Sequence, residues 1–226
     1  MAPVASAASS GARARLVPAD DAGAQAAAEV LGRGGIVVVP TDTVYGLAAR
    51  PDDFDAVQAV YRAKGRPDGL PLPVLAASLD QVRALGVELT DAASTLAGRW
   101  WPGPLTLAFG FGSGSGSESG DAVRRPAWLA GRDEVAVRIP DHGFLRGLLV
   151  VTGALVVTSA NPHGAATPRA AGDVASSLGD AVDLIVDGGG LTEVPSTLVN
   201  VRGPSAVVER EGVISRAEIE RALAVV

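Results

Sequence analysis

Short apolar runs bounded by turn residues alternate along this chain with longer stretches of helical spacing. The alanine-rich segment from Ala22 to Arg33 predicts a helix, closed by Gly34-Gly35. Ile36 to Val39 is continuously apolar and reads as a buried strand. Phe54, Val57, Val60 and Tyr61 then recur with helical spacing behind Asp52-Asp53, which can cap a helix start, and Pro67 stops that helix. Leu70 to Ala76 carries prolines that suit a strand entry or edge. Two short helices follow, Ser78 to Leu85 and Thr90 to Arg99, each opened by a hydroxyl cap. Trp100 to Pro104 forces a turn before a strand from Leu105 to Phe109.

In the second half, Val135 to Pro140 reads as a strand that delivers Arg138 near its end. Asp141-His142 turns the chain into a helix ending near Thr152. The strand Leu155 to Thr158 runs straight into Ser159-Ala160-Asn161-Pro162, a polar strand exit. Helix is predicted from Arg169 to Leu178, and strand from Val182 to Val186. Ser196 to Val201 and Ala206 to Arg210 are further strands, joined by a hairpin-like turn at Gly203-Pro204. Ser215 caps a last helix to Leu223. Strands alternating with helices predict an α/β fold with a mostly parallel or mixed sheet in one domain. The small, polar residues 1–15 read as a disordered tail and 16–226 as a single domain. Residues 110–125, rich in Gly and Ser, read as a flexible loop; their glycines match no phosphate-cradling register.

Composition narrows the chemistry. With 47% hydrophobic residues but only 4% aromatics, the core must be built from Val, Leu, Ala and Ile. A net charge of −6 argues against a surface that neutralises many phosphates, while leaving room for a local basic pocket. The absence of cysteine excludes disulfides, zinc fingers and thiol nucleophiles. The two histidines, His142 and His163, supply no zinc motif, and no G-x-S-x-G elbow occurs, so no protein-bound metal is expected. The most apolar region, Phe144 to Val157, is broken by Arg146, Thr152 and two glycines, and the leader lacks a signal-peptide core. A cytoplasmic protein with no membrane partner is the expectation.

Hydroxyls and cations do recur at strand ends: Thr41, Thr43, Lys64, Arg66, Arg138, Thr158, Ser159, Asn161, Ser196 and Arg210. Taken singly, a Ser or Thr there can simply satisfy local backbone groups. Together they can bind and orient anions without moving protons. That inventory suits a reaction whose nucleophile is already charged, such as phosphoryl or nucleotidyl transfer, where positioning and charge stabilisation dominate.

PTDTVYGL at 40–47, K-x-R-P at 64–67, WPGPLTL, AVRIPDH, TSAN and STLVN stand here in one order, and in that order the chain resembles the YrdC-like family, in its short single-domain form, from about Arg33 to Arg221. The resemblance implies a twisted mixed β-sheet flanked by helices, with a concave basic ligand face. It implies an enzyme joining L-threonine, bicarbonate and ATP, with Mg2+, into threonylcarbamoyl-AMP and diphosphate. The product would go to adenosine in tRNA through downstream threonylcarbamoyl-transferase complex proteins. Carried over by position, Lys64, Arg66, Ser159, Asn161, Thr167 and Arg210 would bind ATP, with Lys64 and Arg66 catalytic. Thr41, Arg138 and Ser196 would bind threonine, Arg138 pairing its carboxylate. Leu70, Leu75, Glu134 and Val157 depart from the family's polar choices, each removing a polar contact. The alternatives are a non-catalytic module binding tRNA or double-stranded RNA on the same face, and a paralogue making a carbamoyl adenylate for another acceptor.

Overall fold

A computed structural model describes residues 14–67, 70–87, 89–111, 126–129, 131–203 and 205–224. In chain order the elements are β1 (Arg15–Pro18), α1 (Asp21–Gly32), β2 (Val37–Val39), β3 (Gly46–Ala49), α2 (Phe54–Lys64), β4 (Val74–Leu75), α3 (Leu79–Arg83), α4 (Asp91–Trp100), β5 (Leu105–Gly110), β6 (Glu134–Arg138), α5 (Gly143–Thr152), β7 (Leu155–Ser159), α6 (Ala171–Leu178), β8 (Leu184–Asp187), β9 (Thr197–Asn200), β10 (Val207–Arg210) and α7 (Arg216–Leu223). The strands join one sheet in the order β1-β8-β2-β3-β7-β4-β6-β5-β9-β10. It is mixed: β1–β8, β8–β2, β4–β6 and β5–β9 are parallel and the other neighbours antiparallel. The α/β fold with a mixed sheet flanked by helices is thus as the sequence predicts.

The helices begin where short polar side chains can take up orphan backbone N–H groups. Asp53 accepts from Ala56 N at 3.0 Å, and Ser78, Thr90 and Ser215 cap α3, α4 and α7 in the same way. The end of α2 is set by Gly65 at φ 58°, a left-handed turn that glycine adopts without strain.

Period-two alternation divides the core into two layers. Ile36, Val38, Leu47, Val74, Val156 and Ile185 pack with α2, α4, α6 and α7 on one face. Val37, Val39, Ala48, Leu75, Leu155, Val157, Leu184 and Val186 pack with α1 and α5 on the other. No residue of β6, β5, β9 or β10 joins that second layer, although Val135, Val137, Leu105, Leu107 and Val199 fill the first. On the second face β6 and β5 carry Ala136, Arg138, Thr106 and Ala108, against which no helix residue of the second layer packs among the described residues, although Thr106, Ala108 and Arg138 are themselves buried.

Several boundaries differ from the sequence reading. β1 begins at Arg15, inside the segment read as tail, because the chain pairs there with β8 and Ala14 N donates to Gly179 O at 2.9 Å; residues 1–13 lie outside the described residues. β3 had no separate signal, since its four residues directly follow the 40–45 loop. The Leu70 to Ala76 run contracts to a two-residue strand, as its prolines cannot donate to a ladder. Gly110 belongs to β5, and 112–125 of the predicted Gly/Ser loop lie outside the described residues. Among the described residues no helix is long and apolar enough to cross a membrane.

Candidate functional site

The loop between β2 and β3 organises the site. Thr41 Oγ1 accepts from the backbone N–H groups of Thr43 and Val44 at 3.0 and 3.1 Å and donates to Val44 O at 2.7 Å. These bonds shape the turn around the hydroxyl that the resemblance sets beside threonine. The turn puts forward its neighbours. Thr43 Oγ1 accepts from Arg138 Nη1 at 2.9 Å, and the Asp42 carboxylate accepts from Arg138 Nη2. Gly103 O accepts from Arg138 Nε at 2.9 Å. Arg138 is only 5% exposed, so its charge is held by a carboxylate and two oxygens in a mostly dry setting. Three of the five N–H donors of a guanidinium are used, which leaves two.

That contact is a product of sheet curvature. Between β6 and β2 lie four strand spacings, roughly 20 Å in a flat sheet. In register, Arg138 also sits opposite Leu75 and Leu155, at the other end of β7 from Ser159, whereas the 40–45 loop adjoins the Gly46–Ser159 pair. Twist accumulated over those strands is the general property of sheets that can bring the two ends together.

On the second face of the sheet, Thr106 lies one step on from the Leu107–Val137 pair and so beside Arg138. Its hydroxyl is 2.8 Å from Ser196 Oγ. Arg210, from β10, donates through Nη2 to Ser196 O at 3.0 Å and Ser196 Oγ at 3.4 Å. Burial and then the nearby charge of Arg138 lower the pKa of Arg210 from its ordinary value, which marks the two guanidinium groups as neighbours. The fold thus brings Arg138, Ser196 and Arg210 together.

A second cluster lies on the other side of the 40–45 loop. Lys64, at the end of α2, donates through Nζ to Ser159 O at 2.5 Å and Asn161 O at 2.6 Å. It is 4% exposed, and burial, followed by the charge of Arg66, lowers its pKa to about 8. Asn161 Nδ2 donates to Ala165 O at 2.6 Å, and His163 N to Lys64 O at 2.7 Å, so this turn is laced to the helix end. Arg66 makes one long contact, Nη2 to Pro71 O at 3.4 Å, and its Nε is buried with no hydrogen-bond partner. Orphan buried donors cost about 1–3 kcal/mol and call for an explanation; an anion is the natural one beside Lys64. Ala160 N donates to Tyr45 O at 2.8 Å, which ties the turn to the central loop. Thr167 follows the Asn161–Ala165 turn, half-buried, and its hydroxyl bonds no group among the described residues.

Sequence reasoning missed Asp42, Thr106 and Gly103. Asp42 could have been noticed as the one acid between two hydroxyls; Thr106 as the polar break in an apolar strand. Tyr45 also joins the frame, donating to Gly189 O at 2.7 Å while Thr192 Oγ1 donates to Thr43 O at 2.9 Å. His142 is structural, its Nδ1 taking up Leu145 N at the start of α5, and burial lowers its pKa. Glu134, a departure from the family pattern, pairs with Arg202. A cavity of about 980 Å3 lined by Phe54, Tyr61, Trp128 and Arg132 adjoins the second cluster, since Arg66 donates to Pro71 O and to Tyr61 O, both cavity residues.

Comparison with known proteins points the same way. The family model for Sua5, YciO and YrdC, described as telomere recombination, matches residues 29–212. A threonylcarbamoyl-AMP synthase of Bacillus subtilis is 38% identical over 199 residues, covering 87% of this chain and 55% of that protein. Its counterpart in Pyrococcus abyssi is 35% identical over 87% of this chain and 56% of its own length. The chain thus spans little more than half of these two curated relatives. The structure of P. abyssi Sua5 complexed with L-threonine superposes with a TM-score of 0.79 at 33% identity, covering 92% of this chain and 60% of that one. E. coli YciO, at 24% identity, shares the fold with a TM-score of 0.76 over 91% of this chain and 98% of its own.

Proposed function

This chain belongs to the Sua5/YciO/YrdC family, and from that premise we propose that it is a threonylcarbamoyl-AMP synthase. The observation that carries the reading is Arg138: a buried guanidinium, fixed by Asp42, Thr43 and Gly103 O, with two N–H donors not taken up among the described residues. One N–H remains on each Nη nitrogen, and a pair of guanidinium donors suits a carboxylate. Threonine would bind there through its carboxylate, with Ser196 and Thr106 alongside.

The amine of threonine and bicarbonate give a carbamate and water. A carbamate oxygen then attacks the α-phosphorus of ATP, forming the new P–O bond as diphosphate leaves. Because the nucleophile is already an anion, no general base is required, in keeping with a site that offers cations and hydroxyls. Lys64, Arg66 and Arg210 would stabilise charge on the phosphates. Ser159, Asn161 and Thr167 would border the nucleotide. Magnesium neutralises triphosphate charge; no three acidic or histidine side chains cluster among the described residues to hold it, so it would enter on ATP. Transfer of the threonylcarbamoyl group from the adenylate to tRNA adenosine, with AMP as the leaving group, by partner proteins in the cytoplasm is the destination we infer.

A substrate omission series on purified protein tests this, with mass spectrometry of the adenylate. ATP should be converted to threonylcarbamoyl-AMP and diphosphate only when threonine and bicarbonate are both present. Equal turnover without threonine would sink the reading.

A further inference from the structure

We propose that the cavity behind Trp101 and Pro102 binds a small amphipathic carboxylate, and that its occupancy is felt at Arg138. The cavity measures about 380 Å3, within the range of small-molecule sites. Leu89, Ala97, Trp101, Pro102 and Ile139 give it apolar walls, and no acidic side chain lines it. Two arginines line it too: Arg83, already paired with Asp80 at 3.2 Å, and Arg146, whose guanidinium makes no ion pair or hydrogen bond among the described residues. Apolar walls with one unneutralised cation at the rim match a hydrocarbon body ending in a carboxylate.

The site backs directly onto the anchors of Arg138. Trp101 and Pro102 lead into Gly103, whose N–H donates to Ile139 O at 2.8 Å and whose carbonyl accepts from Arg138 Nε at 2.9 Å. Trp101 and Ile139 are walls of the cavity as well. A ligand packed against them would brace the Gly103 carbonyl and with it the guanidinium. The effect on threonine rests on the function proposed above; the binding itself does not.

Octanoate is the probe, titrated into the full chain without nucleotide and followed by calorimetry and tryptophan NMR signals. Saturable binding is expected. Gly98→Leu should abolish it without lowering the melting temperature, because Gly98 lines the cavity from helix α4 and a Cβ there meets no atom within 4 Å. Arg146→Gln should weaken octanoate about tenfold and leave octanol unchanged. Absent binding, or unchanged binding in Gly98→Leu, overturns the site. Equal octanoate affinity in Arg146→Gln overturns the carboxylate assignment. Octanoate should raise threonine affinity about threefold, and an unchanged affinity overturns the coupling. Were threonine itself not to bind, the proposed function would fall while the octanoate titration still decided the cavity.

Discussion

The ammonium of Lys64 lies 2.5 Å from the carbonyl oxygen of Ser159, a residue 95 positions further along the chain. Lys64 is thus a strut as well as a charge: it fixes the turn that would border the nucleotide and places a cation beside it.

These two roles separate in a Lys64→Met variant. Holding the ammonium at a pKa of about 8 against an ordinary 10.5 costs the fold roughly 3 kcal/mol at neutral pH. Removing it orphans two carbonyls at about 1–3 kcal/mol each. The effects oppose, so stability in denaturant should change by no more than about 3 kcal/mol. The kcat/KM for ATP should nevertheless fall about 100-fold or more, since one preorganised charge is gone. Steady-state kinetics beside urea melts check this; a variant that unfolds but keeps its residual turnover per folded molecule would make Lys64 only a strut.

The same lysine gives the pH dependence. Its folded pKa is depressed, so between about pH 8 and 10.5 the unfolded chain binds the extra proton and stability rises with pH across that window. Nucleotide binding should move the other way. Above pH 8 the neutral amine still donates to both carbonyls but no longer faces the phosphates with charge, so the KM for ATP should climb toward tenfold for each further pH unit. Lys64→Arg, which stays charged, should show no inflection near pH 8. An identical profile in that variant would assign the titration elsewhere.

Asp42 governs the other cluster. Its carboxylate orients Arg138, and Asn can still accept that hydrogen bond while Ala cannot. Asp42→Ala should raise the KM for threonine about 10- to 100-fold, the worth of a charge-assisted hydrogen bond, with the KM for ATP unmoved. Asp42→Asn should stay within about threefold of the parent. Equal losses in the two variants would mean that charge, and not orientation, is what Asp42 supplies.

Much of this site was legible in local patterns. The apolar run before Thr41, the helical repeat from Phe54 to Tyr61 and the polar exit at Ser159 each mark a strand or helix end, and ends are where ligands meet backbone groups. What local pattern could not carry was closure over distance. The turn that Thr41 Oγ1 builds was not legible, because a hydroxyl after a strand reads the same whether it faces a substrate or its own turn. Asp42 and Gly103 acquire meaning only when sheet twist brings β6 over the 40–45 loop, and twist accumulates over strands far apart in sequence. β3 was hidden because four apolar residues beside a loop carry too little periodicity to separate strand from linker.

Val157 and Gly46 supply a last test, of packing beneath the loop. A Cβ at Gly46 would stand 2.5 Å from Val157 Cγ1, closer than any real contact, although 3.7 Å from its next neighbours. One side chain therefore decides whether the position tolerates a methyl group. Gly46→Ala should cost about 1–3 kcal/mol by overpacking, and Val157→Ala should cost about as much by leaving a gap in the second layer. Combined, the new methyl occupies space the valine vacates, so the double variant should be more stable than the sum predicts by about 0.5–3 kcal/mol. Urea unfolding of the four proteins measures the coupling. Strict additivity would show that the backbone at Gly46, and not the valine beneath it, excludes a side chain, because a backbone clash would survive the loss of Val157 Cγ1.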